Sequence, residues 1–175
     1  DKDWFASVRG RGTAAQRRLL ADTASLRGAF VTYAPQAASS ALNPGRTVGH
    51  QLQLAIARRE LPPTNADELA RAVSECLDDV GLPVAAVHSL PGELSGGMCQ
   101  RAALAVAVAP KPRVLIADEP ETGLDPVLTR QIIELMIHVA REKGCGMLLI
   151  SHHEDTVDRV ADRVVRLPGP KDLSP

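Results

Sequence analysis

The sequence predicts an α/β fold in which helices cover both faces of a parallel sheet. Two short apolar runs, residues 114–117 and 147–150, are separated by a segment with helical spacing. Neither run alternates between apolar and polar residues, which is typical of parallel strands buried on both faces. A third strand is expected at residues 29–33, ended by Pro35. Strand, helix and strand in this order favour a parallel sheet.

The composition is that of a globular protein and excludes several classes of function. The chain has 175 residues, of which 45% are hydrophobic and 23% charged, so a largely disordered chain is excluded. The 20 Lys and Arg residues nearly balance the 21 Asp and Glu residues, which excludes recruitment of nucleic acid by charge alone. Aromatic residues make up only 2%, so stacking platforms for single strands are excluded as well.

The cysteines and the apolar stretches indicate a reducing compartment and no membrane span. The 3 cysteines are widely spaced, which predicts reduced thiols rather than a disulfide framework or a zinc site. We expect no signal segment, because residues 1–3 lead no apolar run, and the longest apolar stretch, residues 102–109, is far shorter than the ~20 residues that span a bilayer. We therefore expect any role at a membrane to require a partner.

Two helices are predicted in the first half of the chain after the residues 29–33 strand. One runs over residues 48–59 with Thr47 as its cap, and the other over residues 66–80 with Asn65 or Thr64 as its cap. No strand pattern interrupts residues 48–80, which we call the helical insert.

The remaining elements follow from capping residues, helix breakers and apolar periodicity. A first helix is expected near the amino terminus with Thr13 as its cap. A later helix begins at Ser95-Gly96-Gly97. The other expected boundaries are helix 13–26, helix 96–109, helix 127–143, helix 155–161 and strand 163–167.

Two adjacent carboxylates, Asp118 and Glu119, follow the residues 114–117 strand. Ligands of open α/β sheets bind at the carboxyl ends of the strands. There one carboxylate can hold Mg²⁺ beside phosphates and the next can polarise a water. Solvated loop acids are the alternative, but Pro120 and the run 122–125 favour a functional pair.

The glycine-rich start of the helix at Ser95 is a second candidate. Gly96 and Gly97 let a phosphate approach the backbone, where free N–H groups and the helix dipole favour an anion. An ordinary capped helix start is the alternative for this segment taken alone.

His152 is the third candidate, because it follows the residues 147–150 strand. It lies near the same edge as the two carboxylates and could donate a hydrogen bond to a phosphate oxygen. An exposed or structural histidine is the alternative, and it is the preferred interpretation of neighbouring His153.

Taken together, these motifs resemble the nucleotide-binding domain of ATP-binding cassette (ABC) proteins. Residues 94–98 are similar to the signature loop, 114–119 to the Walker B strand and 122–125 to the D-loop. His152 resembles the switch histidine, and Gln36 the Q-loop glutamine. Residues 36–44 and 47–49, with Met98 in the signature, resemble the subfamily that imports oligopeptides, dipeptides and nickel. The resemblance spans residues 29–167.

The resemblance implies a P-loop NTPase-like (RecA-like) sheet with an ABC helical subdomain. It divides the chain into a remnant of the amino-terminal core (1–35), the Q-loop and helical subdomain (36–93), and the signature, Walker B and H-loop part (94–175). It implies ATP and Mg²⁺ as cofactors. The implied partners are a second nucleotide-binding subunit and membrane permeases, with no nucleic acid, at the cytoplasmic face of the membrane.

The resemblance also implies roles for residues in one protomer's site. Asp118 would hold Mg²⁺ through water, and Glu119 would be the general base toward the hydrolytic water. His152 would contact the γ-phosphate. Gln36 would touch Mg²⁺ or the water and couple the site to the permease.

Four further residues are implied to act between subunits. Ser95, Gly96 and Gly97 would hold the γ-phosphate of ATP bound to the opposite subunit. Asp125 would cross the dimer interface.

The sequence departs from the family pattern at the phosphate loop. None of the four lysines follows a glycine, so no G-x-x-x-x-G-K-[ST] loop is present. We therefore expect a fold that is incomplete at its amino-terminal side and a chain that by itself binds ATP weakly. Smaller departures are Glu121, where Thr or Ser is usual, and His153, where Asp is usual. Glu121 is expected to add a negative charge beside Asp118 and Glu119.

Three functions stay open at this point. The first is the ATPase subunit of a peptide- or nickel-type importer. The second is an inactive module that supplies only its signature loop to a partner. The third is an ABC ATPase acting in DNA repair, chromosome or ribosome work, which the net charge of −1 disfavours.

Overall fold

The structure, a computed structural model, describes residues 17, 21, 23–24, 26–36, 41–122 and 125–166. Within those residues it contains three strands, five α-helices and two short 3₁₀ helices. In chain order they are β1 (Val31–Ala34), α1 (Val48–Ile56), α2 (Ala66–Asp79), the 3₁₀ helices Val84–His88 and Pro91–Glu93, α3 (Gly96–Val108), β2 (Val114–Asp118), α4 (Pro126–Glu142), β3 (Gly146–Ile150) and α5 (Glu154–Val160).

The three strands form a parallel sheet in the order β1-β2-β3, with β2 in the centre. Thr32 is in register with Leu115, which is in register with Met147. All three strands therefore end at the same edge of the sheet. This arrangement confirms the α/β fold with a parallel sheet.

Only one face of this sheet is buried by the described residues. Leu115 and Ala117 have no exposed surface and belong to the same core as residues of α3 and α4. On the opposite face, Tyr33, Leu148 and Ile150 are 53%, 55% and 45% exposed. The prediction that strands 114–117 and 147–150 are buried on both faces is therefore wrong for the described part of the chain, which supplies helical cover on one face only.

The helical insert is confirmed as a unit without strands. The Thr47 side chain accepts a hydrogen bond from the backbone N–H of His50, and Asn65 accepts one from that of Glu68. Helix α1 ends at Ile56, three residues before the predicted end at residue 59. The last turn tightens there, because the backbone N–H groups of Arg58 and Arg59 donate to the carbonyl oxygens of Ala55 and Ile56, three positions earlier.

Two arginines connect the ends of three helices. Arg59 Nε donates to the carbonyl oxygen of Ala109, the C-cap of α3, at 2.7 Å. Arg101 of α3 donates to the carbonyl oxygen of Val80, the C-cap of α2, at 2.8 Å. Arginine side chains satisfy helix-end carbonyls that have no partner within their own helix.

The two predictions at the chain ends have different outcomes. Residues 163–166 form no strand, and Leu167 lies outside the described residues. This segment is exposed, and Arg166 turns back to within 3.5 Å of Asp158 on α5. Most of the predicted helix 13–26 lies outside the described residues. The division of the chain at residues 35 and 93 stays a prediction.

The cysteines are buried and unpaired. Cys76, Cys99 and Cys145 are free thiols, which agrees with the prediction of reduced cysteines. Burial raises the pKa of each thiol above its ordinary value. Among the helices that the structure describes, none is both long and apolar enough to cross a bilayer.

Candidate functional site

Three side chains predicted from the sequence meet at the carboxyl edge of the sheet. Gln36 follows β1, Glu119 follows β2 and His152 follows β3. Gln36 Nε2 donates to Glu119 Oε2 at 2.8 Å, and His152 Nδ1 lies 3.4 Å from Glu119 Oε1. The parallel topology brings these residues together although more than 80 positions separate the first two.

Thr122 completes the surroundings of the Glu119 carboxylate. Its hydroxyl donates to Glu119 Oε2 at 3.2 Å and accepts from Gln36 Nε2 at 3.3 Å. Its backbone N–H donates to the Glu119 carbonyl oxygen at 3.0 Å, which closes a tight turn. Since each carboxylate oxygen has two acceptor positions, Oε2 is filled and Oε1 keeps one position beside His152.

The backbone of Glu119 is strained. Its φ is +42°, in the left-handed region that side chains with a Cβ rarely adopt. Such a conformation costs roughly 1–2 kcal/mol per residue. It persists because the Glu119 N–H donates to the Ile150 carbonyl oxygen at 2.8 Å and the turn at Thr122 holds the other side. Strain of this kind often marks functional sites.

Asp118 has a side-chain partner that the sequence analysis did not name. Its Oδ2 accepts a hydrogen bond of 2.7 Å from the Tyr33 hydroxyl, while the Gln36 amide binds Glu119. The hydrogen bond to Asp118 raises the pKa of Tyr33 above 10.0, and desolvation and the nearby negative charge act in the same direction. Sequence reasoning missed Tyr33. The period of two along β1 could have placed it on the face that carries Asp118.

We call these six residues the edge network: Tyr33, Gln36, Asp118, Glu119, Thr122 and His152.

A third carboxylate of the same segment, that of Glu121, is buried. Glu121 is only 3% exposed, and its Oε1 accepts a hydrogen bond from the Ser151 hydroxyl. Its Oε2 has no hydrogen-bond partner among the described residues. The expectation that Glu121 would place its charge beside Asp118 and Glu119 overlooked this pairing with Ser151.

The start of α3 is open to solvent, as an anion site requires. Ser95 is exposed, and its hydroxyl accepts from the Met98 N–H at 3.3 Å. No heavy atom lies within 4 Å of the position that a Cβ would take on Gly96 or Gly97. Helix α3 reaches the edge network's loop through Gln100, whose Nε2 donates to the carbonyl oxygen of Pro120 at 3.4 Å.

Asp125 is the N-cap of α4. Its Oδ1 accepts from the backbone N–H groups of Val127 and Leu128 at 2.9 and 3.0 Å. The intervening Gly123 and Leu124, predicted to be part of the D-loop, lie outside the described residues. The described residues contain no group of three or more His, Cys, Asp or Glu side chains arranged to hold a metal ion.

Comparison with known proteins places the chain in a family. The sequence profile of the family described as "ABC transporter" matches residues 7–122, more than half of the chain. The oligopeptide transport ATP-binding protein OppD of Lactococcus lactis subsp. cremoris strain SK11 is 38% identical over 143 residues, 81% of this chain and 42% of that protein. The metal-staphylopine import system ATP-binding protein CntD of Staphylococcus aureus strain Mu50 is 36% identical over 141 residues, 79% of this chain and 51% of that protein.

Solved structures show the same fold. The dimeric structure of MJ0796, a bacterial ABC transporter cassette, matches with a TM-score of 0.65 and 25% identity over 79% of this chain and 59% of that one. Its post-hydrolysis dimer with ADP and phosphate matches with a TM-score of 0.65 and 24% identity over 77% and 57%. This chain spans about half the length of the curated relatives it matches. The resemblance drawn from its motifs is thus confirmed, and the chain belongs to the ABC transporter family.

Proposed function

We propose that the protein is the ATP-binding and ATP-hydrolysing component of an importer for a peptide- or nickel-type solute. The observation that carries this proposal is the placement of Glu119, which three other side chains hold at the carboxyl edge of a parallel sheet. Hydrolysis of a phosphate requires positioned charges and donors rather than covalent chemistry, and the edge network supplies them.

Glu119 would be the general base. Gln36 and Thr122 fill the acceptor positions of Oε2, so Oε1 is the atom that would take the proton from an attacking water. The left-handed backbone at Glu119 contributes to this task because it fixes where the carboxylate leaves the main chain.

His152 would bind the phosphate that is transferred to water. Its Nδ1 lies toward Glu119, which leaves Nε2 on the opposite side of the ring to donate to a phosphate oxygen. The imidazole would thereby hold the base and the phosphate in one arrangement.

The donor set at the edge fits Mg²⁺. This ion prefers oxygen ligands and is commonly bound through one or two carboxylates, with waters and substrate phosphates completing its shell. Two residues would hold the ion, Asp118 and Gln36. The Tyr33 hydroxyl binds one oxygen of the Asp118 carboxylate and leaves the other oxygen for Mg²⁺ or its water, and Gln36 would contribute its side-chain amide. When bound, Mg²⁺ neutralises charge on the phosphates. Tyr33 would keep the Asp118 carboxylate in one orientation.

A second nucleotide-binding subunit would complete the site. The exposed helix start at Ser95, Gly96 and Gly97 would bind the γ-phosphate of ATP held by that subunit. Asp125, at the start of α4, would lie at the interface between the two. OppD is named for oligopeptide transport and CntD for metal-staphylopine import, which supports permeases as further partners and a position at the cytoplasmic face of the membrane.

The test is ATP hydrolysis by the complete transporter that contains this chain. Glu119→Gln keeps the shape of the side chain and removes the base, so we expect turnover to fall ~10²- to 10⁴-fold with ATP binding retained. Glu134→Gln is the matched control, because Glu134 is an exposed acid on α4 paired only with Arg130 in the described structure. Unchanged turnover in Glu119→Gln would contradict the proposal.

The same ATP hydrolysis assay distinguishes the proposed function from the alternative in which the chain is an inactive module that supplies only its signature loop to a partner. The openness of the helix start at Ser95 favours that contribution independently of Glu119. If Ser95→Ala lowers turnover while Glu119→Gln does not, hydrolysis occurs in the partner's site and this chain provides only the signature loop.

A further inference from the structure

We propose that Glu121 is a positioning residue that acts through Ser151 to hold His152 beside Glu119. The significance of this arrangement for hydrolysis rests on the proposed function, but the arrangement itself does not.

The burial of Glu121 is the first observation. Carboxylates are rarely buried unless they are paired, because removing the charge from water is costly. Glu121 is nonetheless almost fully buried, whereas Asp118 and Glu119 in the same segment are half-buried. Its one hydrogen-bond partner in the described structure is the Ser151 hydroxyl, 30 positions further along the chain.

The direction of the Ser151 hydrogen bond is the second observation. The Ser151 hydroxyl oxygen accepts from the backbone N–H of His153 at 3.0 Å. Its proton is therefore free to point at Glu121, and an O–H donor on a carboxylate makes one of the stronger hydrogen bonds in proteins. Both residues that flank His152 are fixed by this chain of two bonds.

The third observation is that the same two segments are joined on the main chain. The Glu119 N–H donates to the Ile150 carbonyl oxygen at 2.8 Å. This bond continues the pairing of β2 with β3 and keeps the start of the Ser151–His153 segment beside Glu119, and the Glu121–Ser151 bond joins the same two segments through their side chains. Together they place His152 Nδ1 at 3.4 Å from Glu119 Oε1, where it would act during hydrolysis.

The test is an NMR measurement on the purified 175-residue chain without nucleotide. The chain has 5 histidines, so the ring Cε1–H signals are few, and His152→Ala assigns the one of interest. In the wild-type background, Glu119→Gln is expected to displace the His152 signal because the two side chains are neighbours. The exposed His138 on α4 serves as the internal reference.

The change that Glu119→Gln causes in the chemical shift of the His152 ring signal is then measured again in three variant backgrounds, as in a double-mutant cycle. Glu121→Gln keeps an acceptor for Ser151, so the displacement is expected to persist. Glu121→Ala and Ser151→Ala break the bond, and each is expected to reduce the displacement by about half or more. Ser151→Ala decides the matter if Glu121→Ala does not fold.

A displacement that stays at its wild-type size in Ser151→Ala, or that is lost equally in Glu121→Gln, would overturn the proposal. A general loss of structure would collapse the dispersion of the backbone amide signals, which separates a positioning role from a merely structural one. Since no nucleotide is present, failure of the ATPase proposal leaves this result unchanged. The two proposals therefore fail separately.

Discussion

The helical insert and the edge network are built by opposite means. In the helical insert, Leu52, Ile56, Leu77 and Val80 have no exposed surface, and apolar packing holds the helices together. In the edge network, the side chains are exposed or half-buried, and hydrogen bonds across the sheet edge hold them in place. Substitutions in the first region should therefore change stability, and substitutions in the second should change chemistry with smaller effects on stability.

The largest effect is expected from a cavity in the helical insert. Leu52→Ala should lower the free energy of unfolding by about 2–5 kcal/mol, because the side chain is fully buried and its site collapses only in part. Leu54→Ala on the same helix is the control, since Leu54 is 52% exposed and should cost far less. Urea unfolding measures both. Similar losses of unfolding free energy in the two variants would contradict the difference between buried and exposed positions of α1.

Overpacking in the same region should have the next largest effect. A Cβ on Gly49 would lie 2.8 Å from the backbone oxygen of Val87, so Gly49→Ala should destabilise the protein by about 1–3 kcal/mol. This is the opposite of the gain that helix propensity alone predicts. At Gly45 the nearest atom, Asn43 Oδ1, is 3.5 Å away, so Gly45→Ala should be tolerated. Thermal unfolding of both variants is the check, and a stabilised Gly49→Ala would contradict this close approach.

Backbone strain in the edge network should give a smaller and more specific effect. Because Glu119 has a φ of +42°, Glu119→Gly should be more stable than Glu119→Ala by about 1–2 kcal/mol. Both variants lose the same carboxylate contacts, so the difference isolates the backbone. Chemical unfolding of the pair measures it. Equal stability would show that Glu119 relaxes out of the left-handed region when its side chain is removed.

The smallest expected effect is a shift in the pKa of Tyr33, which is followed by ultraviolet absorbance and does not depend on a measurement of stability. Tyr33 is the only tyrosine of the chain, so the absorbance change of its phenol on ionisation reports its pKa directly. The hydrogen bond to Asp118 raises that pKa above 10.0, so the neutral phenol should persist to higher pH than in a free tyrosine. Asp118→Asn should lower the pKa, and Asp158→Asn on α5 should leave it unchanged. If the pKa of Tyr33 in the wild type were the same as that of a free tyrosine, this would contradict its hydrogen bond to Asp118.

Local signals in the sequence were sufficient for the helix starts, and they named Gln36, Glu119 and His152 as candidates but not Tyr33. The caps Thr47 and Ser95 are visible as single residues, and each accepts a backbone N–H of its helix. For α2 the sequence offered Asn65 or Thr64, and Asn65 is the cap. The meeting of Gln36, Glu119 and His152 follows from topology, because parallel strands end at one edge.

The remaining features depend on residues that are distant in sequence. A continuous apolar run such as 147–150 indicates burial of both faces, but it carries no information on which segment provides the cover. The inward direction of Glu121 depends on Ser151, and the bond of Tyr33 depends on Asp118, 85 positions away. The left-handed backbone at Glu119 has no signal in a sequence without glycine or asparagine at that position.

The two arginine links between helices have a mechanical consequence. Arg59 joins the end of α1 to the end of α3, and Arg101 joins α3 to the end of α2. Displacing one of these helices would also displace the other two, because breaking either hydrogen bond would leave a carbonyl oxygen at a helix end without its guanidinium partner. Gln100 connects the same block to Pro120, next to Glu119. A displacement of the helical insert would therefore be transmitted through these hydrogen bonds to the loop that carries Glu119.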